Sequence, residues 1–259
     1  MGAEIILPIS LTAVLLFVLI CTSRMLRSGR HFLVVAFFAF AAASCLFSTL
    51  YWIAYDFIRP GTWMPFAANE ICESALFLLL ASSLRAAFPK NTPIVKALLP
   101  AGIFAAANTA LWIAWSGEWI QDILTGLSLG WALCVLIACL AASSALKRSE
   151  WIIIGSAAML LIAGQTATFF LPESALVVFD TACSVILFAV NAWLIAKTVL
   201  DLRSGVDTKR TLCLSFAVYL WAMVTMYMSG GYAYYAALAL AIAAWPLMLW
   251  AVYKEVRTE

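Results

Sequence analysis

Across 259 residues the chain is 66% hydrophobic and 11% charged, with a mean hydropathy of +1.03. A water-soluble domain carries about 45–50% apolar and about 25% charged residues, so composition excludes a soluble globular fold and makes lipid the solvent. The formal net charge of +2 decides little by itself; its distribution along the chain decides the topology.

A helix needs about 20 apolar residues to cross roughly 30 Å of hydrocarbon. The first such run covers 4–23 and follows Met1-Gly2-Ala3-Glu4, a start without the positive n-region of a signal peptide. Ile6 stands where a myristoylation signal needs Ser or Thr. The second run, 32–58, follows the basic segment 24–31. The third, 65–88, opens within Met64-Pro-Phe-Ala-Ala-Asn-Glu-Ile-Cys-Glu73, where acids and an amide crowd the start of an apolar stretch. The fourth and fifth, 97–116 and 119–146, are rich in small residues, including a GxxxG at Gly126 and Gly130. Such residues let helices approach closely in lipid, and packing within the chain is the expected use. The sixth and seventh are 150–171 and 173–200. The eighth and ninth, 211–229 and 233–252, are the least certain, since only Ser229-Gly230-Gly231 divides them. The expected fold is therefore all-α: a polytopic transmembrane helix bundle of eight or nine spans forming one integral membrane domain over 1–259. Strands are excluded because a membrane strand would alternate over about 10 residues.

With nine spans, 14 of the 15 basic residues fall on one side, in segments 24–31, 89–96, 147–150, 201–210, the C-terminal tail and the adjoining helix ends; Arg59 is the exception. Eight acids and that one base leave −7 on the other side, against +9 on the basic side, which together match the net +2. Retention of positive charge in the cytoplasm puts the N-terminus outside and the C-terminus in the cytoplasm. The expected location is the cell (plasma or inner) membrane.

Spans three, five and seven each begin with acids: Glu70 and Glu73, Glu118 and Asp122, Glu173 and Asp180. Acids stabilise helix N-termini by a few tenths to about 1 kcal/mol, which explains the pattern without an internal duplication. Depth separates these acids. At 1.5 Å per residue, Glu73 and Asp180 lie roughly 12 Å below the start of their spans and Asp122 roughly 7 Å. From the even spans, Asn108 and Gln165 reach a similar level. A charged carboxylate there costs several kcal/mol if it faces lipid. These side chains are therefore expected to face one another or a cavity, with Glu73 and Asp180 approaching across the bundle.

Aromatic residues occupy the same level, among them Tyr51, Trp52, Tyr55, Trp63, Trp112, Trp115, Trp119, Tyr227, Tyr232 and Tyr234. An interfacial belt would explain most of them. The sharper expectation is an outward-facing, acid-floored, aromatic-walled cavity that binds or transports a small cationic solute or protons. Its candidate ligand-binding residues are Glu70, Glu73, Asn108, Asp122, Gln165, Asp180, Trp52 and Trp112. Two alternatives remain: a sensor or accessory protein without transport, acting beside a partner subunit, and an intramembrane lipid hydrolase using two carboxylates as acid and base.

The seven cysteines lie inside apolar runs without a CxxC pair and read as small buried hydrophobes. His31 is the single histidine, which excludes a bis-histidine haem, an HExxH protease and a three-histidine zinc site. No metal, cofactor, catalytic residue or nucleic-acid partner is expected. Lys197, near the end of span seven, can snorkel to the interface.

Overall fold

Continuous apolar runs separated by Gly, Pro and charged residues become helices because lipid offers no partner for a free backbone N–H or C=O. The computed structural model describes residues 2–29, 31–58, 68–90, 92–205 and 207–258. Among them are nine helices and no strand: α1 (Gly2–Leu26), α2 (Phe32–Ile58), α3 (Ala68–Ala86), α4 (Val95–Ser116), α5 (Trp119–Ala142), α6 (Arg148–Ala167), α7 (Glu173–Ser204), α8 (Thr208–Tyr227) and α9 (Gly231–Thr258). Arg59, Trp63 and the expected start of span three at 65–67 lie outside the described residues, as do the side chains of Glu4, Asp56 and Glu173.

Several helices run past the apolar runs that announced them. α1 continues to Leu26, α7 to Ser204 and α9 to Thr258. A helix stops where its last carbonyls find other partners, not where the hydrocarbon ends. After α7, Gly205 adopts φ 67°, a left-handed value that favours glycine. Asp207 then starts α8 by accepting the Lys209 N–H at 3.1 Å. Gly117 closes α4 in the same way, with φ 74° and its N–H on the Ile113 carbonyl.

Among the described residues eight helices are long and apolar enough to cross a membrane; α3, as described over Ala68–Ala86, is not one of them. The weak element is thus α3 rather than α8 or α9. It carries Asn69, Glu70, Glu73 and Arg85 within 19 residues, which lowers its hydropathy. Its neighbours shield it, since α3 packs between α2 and α5, and the Ser83 hydroxyl donates to the Val34 carbonyl at 2.8 Å. α8 runs through the middle of the bundle. Every residue from Thr211 to Thr225 is buried, against α9, α7, α5 and α3.

Small residues set the α4–α5 contact. A Cβ on Gly126 would lie 1.8 Å from Thr109 Oγ1, and one on Gly130 would lie 2.6 Å from the Ala105 Cβ. The GxxxG therefore serves packing within the chain.

The basic end of the bundle is tied by polar contacts. Lys197 Nζ meets Glu150 Oε1 at 2.6 Å and Arg210 Nε meets Asp201 Oδ2 at 2.7 Å. The Thr208 hydroxyl donates to Glu255 at 2.5 Å. Arg85 donates to the Phe88, Pro89 and Lys90 carbonyls, closing the turn after α3.

Candidate functional site

The opening turns of α3 bring Glu70 and Glu73 to one helix face, three residues apart. Glu70 is 2% exposed and Asn69 is buried beside it. Glu73 is half-buried and accepts a hydrogen bond from the Tyr227 hydroxyl at the end of α8. Tyr227 is itself positioned by rings. Trp112 of α4 meets it edge-on at 5.3 Å and Phe77 of α3 at 6.5 Å. A tyrosine with an apolar ring and a polar tip suits this place, because its ring fills the core while its hydroxyl satisfies the acid.

Glu73 opens onto a cavity of about 290 Å³ formed by α1, α2, α3, α8 and α9. Among the described lining residues it is the one carboxylate, and no lysine or arginine lines the space. Aromatic side chains form much of the wall: Trp52 from α2, Tyr219 from α8, and Tyr234, Tyr235 and Trp245 from α9. Trp245 is 0% exposed and packs edge-on against Tyr219 at 5.2 Å, with Phe38 behind it at 5.7 Å. Its indole N–H has no hydrogen-bond partner among the described residues. Cys45 adds a thiol and Thr49 a hydroxyl, which donates to the Cys45 carbonyl at 2.8 Å. Among the described residues no three His, Cys, Asp or Glu side chains converge as a metal would need.

The other candidates divide into three groups. Trp112 joins Glu73 through Tyr227. Glu70 and Asp122 belong to the adjoining acid-rich turn. There the Gln121 amide, turned with its nitrogen toward the acids, donates to Glu70 Oε1 at 3.0 Å and Glu118 Oε2 at 2.6 Å. Asp122 accepts the Ser116 hydroxyl at 2.5 Å, and Ser116 Oγ accepts the Glu118 N–H at 2.9 Å. That arrangement clamps the α4–α5 turn, so Asp122 is engaged locally rather than in the cavity.

Asn108 and Gln165 are buried as their depth implied. Gln165 donates to the Met228 carbonyl at 3.3 Å and thereby ties α6 to the end of α8. Asn108, 2% exposed, lies one turn before Trp112, and neither of its amide atoms bonds within the protein.

Asp180 departs from expectation. Its side chain is exposed, as are residues 177–182 throughout, and α7 packs on α6, α8 and α9 rather than on α3. The cause is helix length. The 32 residues of α7 span roughly 48 Å, well beyond about 30 Å of hydrocarbon. Counted back from Lys197 at the opposite boundary, Asp180 is roughly 26 Å away and so sits near the far interface. Depth counted from Pro172 overestimated its burial, and the Glu73–Asp180 approach is not made.

Tyr219, Trp245 and Asn191 are additions that the sequence reading missed. Asn191, fully buried in α7, donates to Thr225 Oγ1 at 2.8 Å. Each had a legible signal. Tyr219 lies about 15 Å and Trp245 about 21 Å from the acid-rich helix ends, too deep for an interfacial belt. By contrast Trp115, Trp119 and Tyr232, the last 94% exposed, have the outward exposure of a belt.

Comparison with protein-family models, with characterised proteins and with solved structures finds no match.

Proposed function

We propose that this multi-pass membrane protein binds a small organic cation, or a proton in its place, at Glu73, and passes it across the cell membrane from an outward-facing cavity. The observation that carries this reading is an aromatic-walled space whose described lining residues include one carboxylate and no basic side chain. A cation there gains charge pairing with Glu73 and cation–π contact with the surrounding rings. An anion would meet no lysine or arginine among the described lining residues and would be repelled by the Glu73 carboxylate. The volume, about 290 Å³, is near the lower limit of ordinary ligand pockets, about 300 Å³, so the ligand is small. The outward orientation follows from the charge partition, with the acid-rich end outside.

The hollow around Glu73 favours binding over a purely accessory role, for which a solid interior would serve. A two-carboxylate hydrolase is disfavoured because Asp180 is exposed on another face and Asp122 is held by Ser116.

Thermal unfolding of purified protein with tetramethylammonium and larger tetraalkylammonium ions tests the proposal. Tetramethylammonium is expected to stabilise the wild type and Glu118→Gln, with the effect vanishing as the ion outgrows the cavity. Glu73→Gln, of nearly the same shape, is expected to fold but show no stabilisation. Equal stabilisation of Glu73→Gln would remove the carboxylate from the binding role and return the lead to an accessory function.

A further inference from the structure

A second hollow lies elsewhere, between α1 and α9 at the basic end. It has a volume of about 640 Å³. Phe17, Cys21 and Met25 line it from one face of α1, with Ser28 in the turn just beyond; Pro246, Trp250 and Tyr253 line it from one face of α9. Residues 17–26 span roughly 14 Å along the helix, about half of the roughly 30 Å hydrocarbon thickness. The groove is therefore as long as one leaflet is deep. Its polar end carries two guanidiniums, Arg24 and Arg257. Arg257 is held 4.4 Å above the Tyr253 ring. Both arginines are exposed, and neither forms an ion pair with a carboxylate among the described residues. Two described acids at this end are engaged elsewhere: Glu255 accepts from Thr208, and Asp201 pairs with Arg210.

We infer that this groove binds one anionic phospholipid, its acyl chain lying along Phe17, Met25 and Trp250 and its phosphate held between Arg24 and Arg257. Apolar surface of leaflet length ending in paired guanidiniums is complementary to that molecule. A guanidinium donates two parallel hydrogen bonds to a phosphate, which a zwitterionic choline headgroup partly screens with its own cation. The site does not depend on what Glu73 binds, because the cavity and the groove share no lining residue.

Lipid retention by purified protein, read by native mass spectrometry after exchange into micelles doped with phosphatidylglycerol or phosphatidylcholine of identical chains, tests the inference. Wild type and Arg148→Gln, which removes a base at the same end but outside the groove, are expected to retain one phosphatidylglycerol in clear preference. Arg24→Gln/Arg257→Gln is expected to lose that preference by about 5-fold per charge, on the order of 25-fold together. Cys21→Trp, which fills the groove and leaves both charges, is expected to reduce retention of both lipids. The inference is overturned if the double variant keeps the preference, if Cys21→Trp retains phosphatidylglycerol like wild type, or if soluble glycerophosphate displaces the lipid at equal concentration.

Discussion

Glu73 and Tyr227 form the contact on which the site turns. A hydrogen bond to a charged group contributes about 1.5–3 kcal/mol, so Tyr227→Phe is expected to lower unfolding stability by about 1–2 kcal/mol. The ring contacts with Phe77 and Trp112 remain, and the fold should persist. Glu73→Gln keeps an acceptor for Tyr227 and is expected to cost less. Chemical denaturation of both variants checks the order, and a larger loss for Glu73→Gln would contradict it. Glu73 stood out in the sequence because a carboxylate at such depth is costly in lipid. Asp180 was misplaced because depth was counted from one end of a helix longer than the membrane is thick. Tyr219 and Trp245 were overlooked because their types suggest a belt, although their depth does not.

At the level of helices, position was easier to read than rank. Apolar runs located the eight long apolar helices among the described residues, since lipid leaves helix as the open choice. The weakest span was misjudged, because the short Ser229-Gly230-Gly231 break drew attention from the charges in α3. Those charges are tolerated because α2, α5 and α8 cover them. Close packing at the α4–α5 pair gives a sharper test. Gly126→Ala would drive a Cβ to 1.8 Å from Thr109 Oγ1, and overpacking of this kind costs about 1–3 kcal/mol. Thr109→Ala in the same chain removes the hydroxyl and is expected to restore most of the loss. Gly155→Ala meets nothing within 4 Å and is expected to be neutral or stabilising by up to about 1 kcal/mol. Thermal unfolding of these three variants beside the wild type distinguishes these outcomes; equal losses for Gly126→Ala and Gly155→Ala would show that the α4–α5 approach is looser than described.

Across the whole molecule, charge separates the two ends, and the proposed orientation rests on the retention of positive charge in the cytoplasm. In a cysteine-free background, an impermeant thiol reagent applied to sealed cells is expected to label Tyr232→Cys at the acid-rich end and to miss Ser204→Cys at the basic end. Labelling of Ser204→Cys would invert the topology and turn the Glu73 cavity toward the cytoplasm. Orientation, access and cation binding meet in one measurement at Ser48, which lines the cavity with Glu73. In the same background, a small cationic thiol reagent applied from outside is expected to modify Ser48→Cys, and tetramethylammonium is expected to slow the modification. With Glu73→Gln added, tetramethylammonium should no longer protect. Protection that persists without the carboxylate, or a Ser48→Cys that no reagent reaches from outside, would contradict an outward-facing cation site at Glu73.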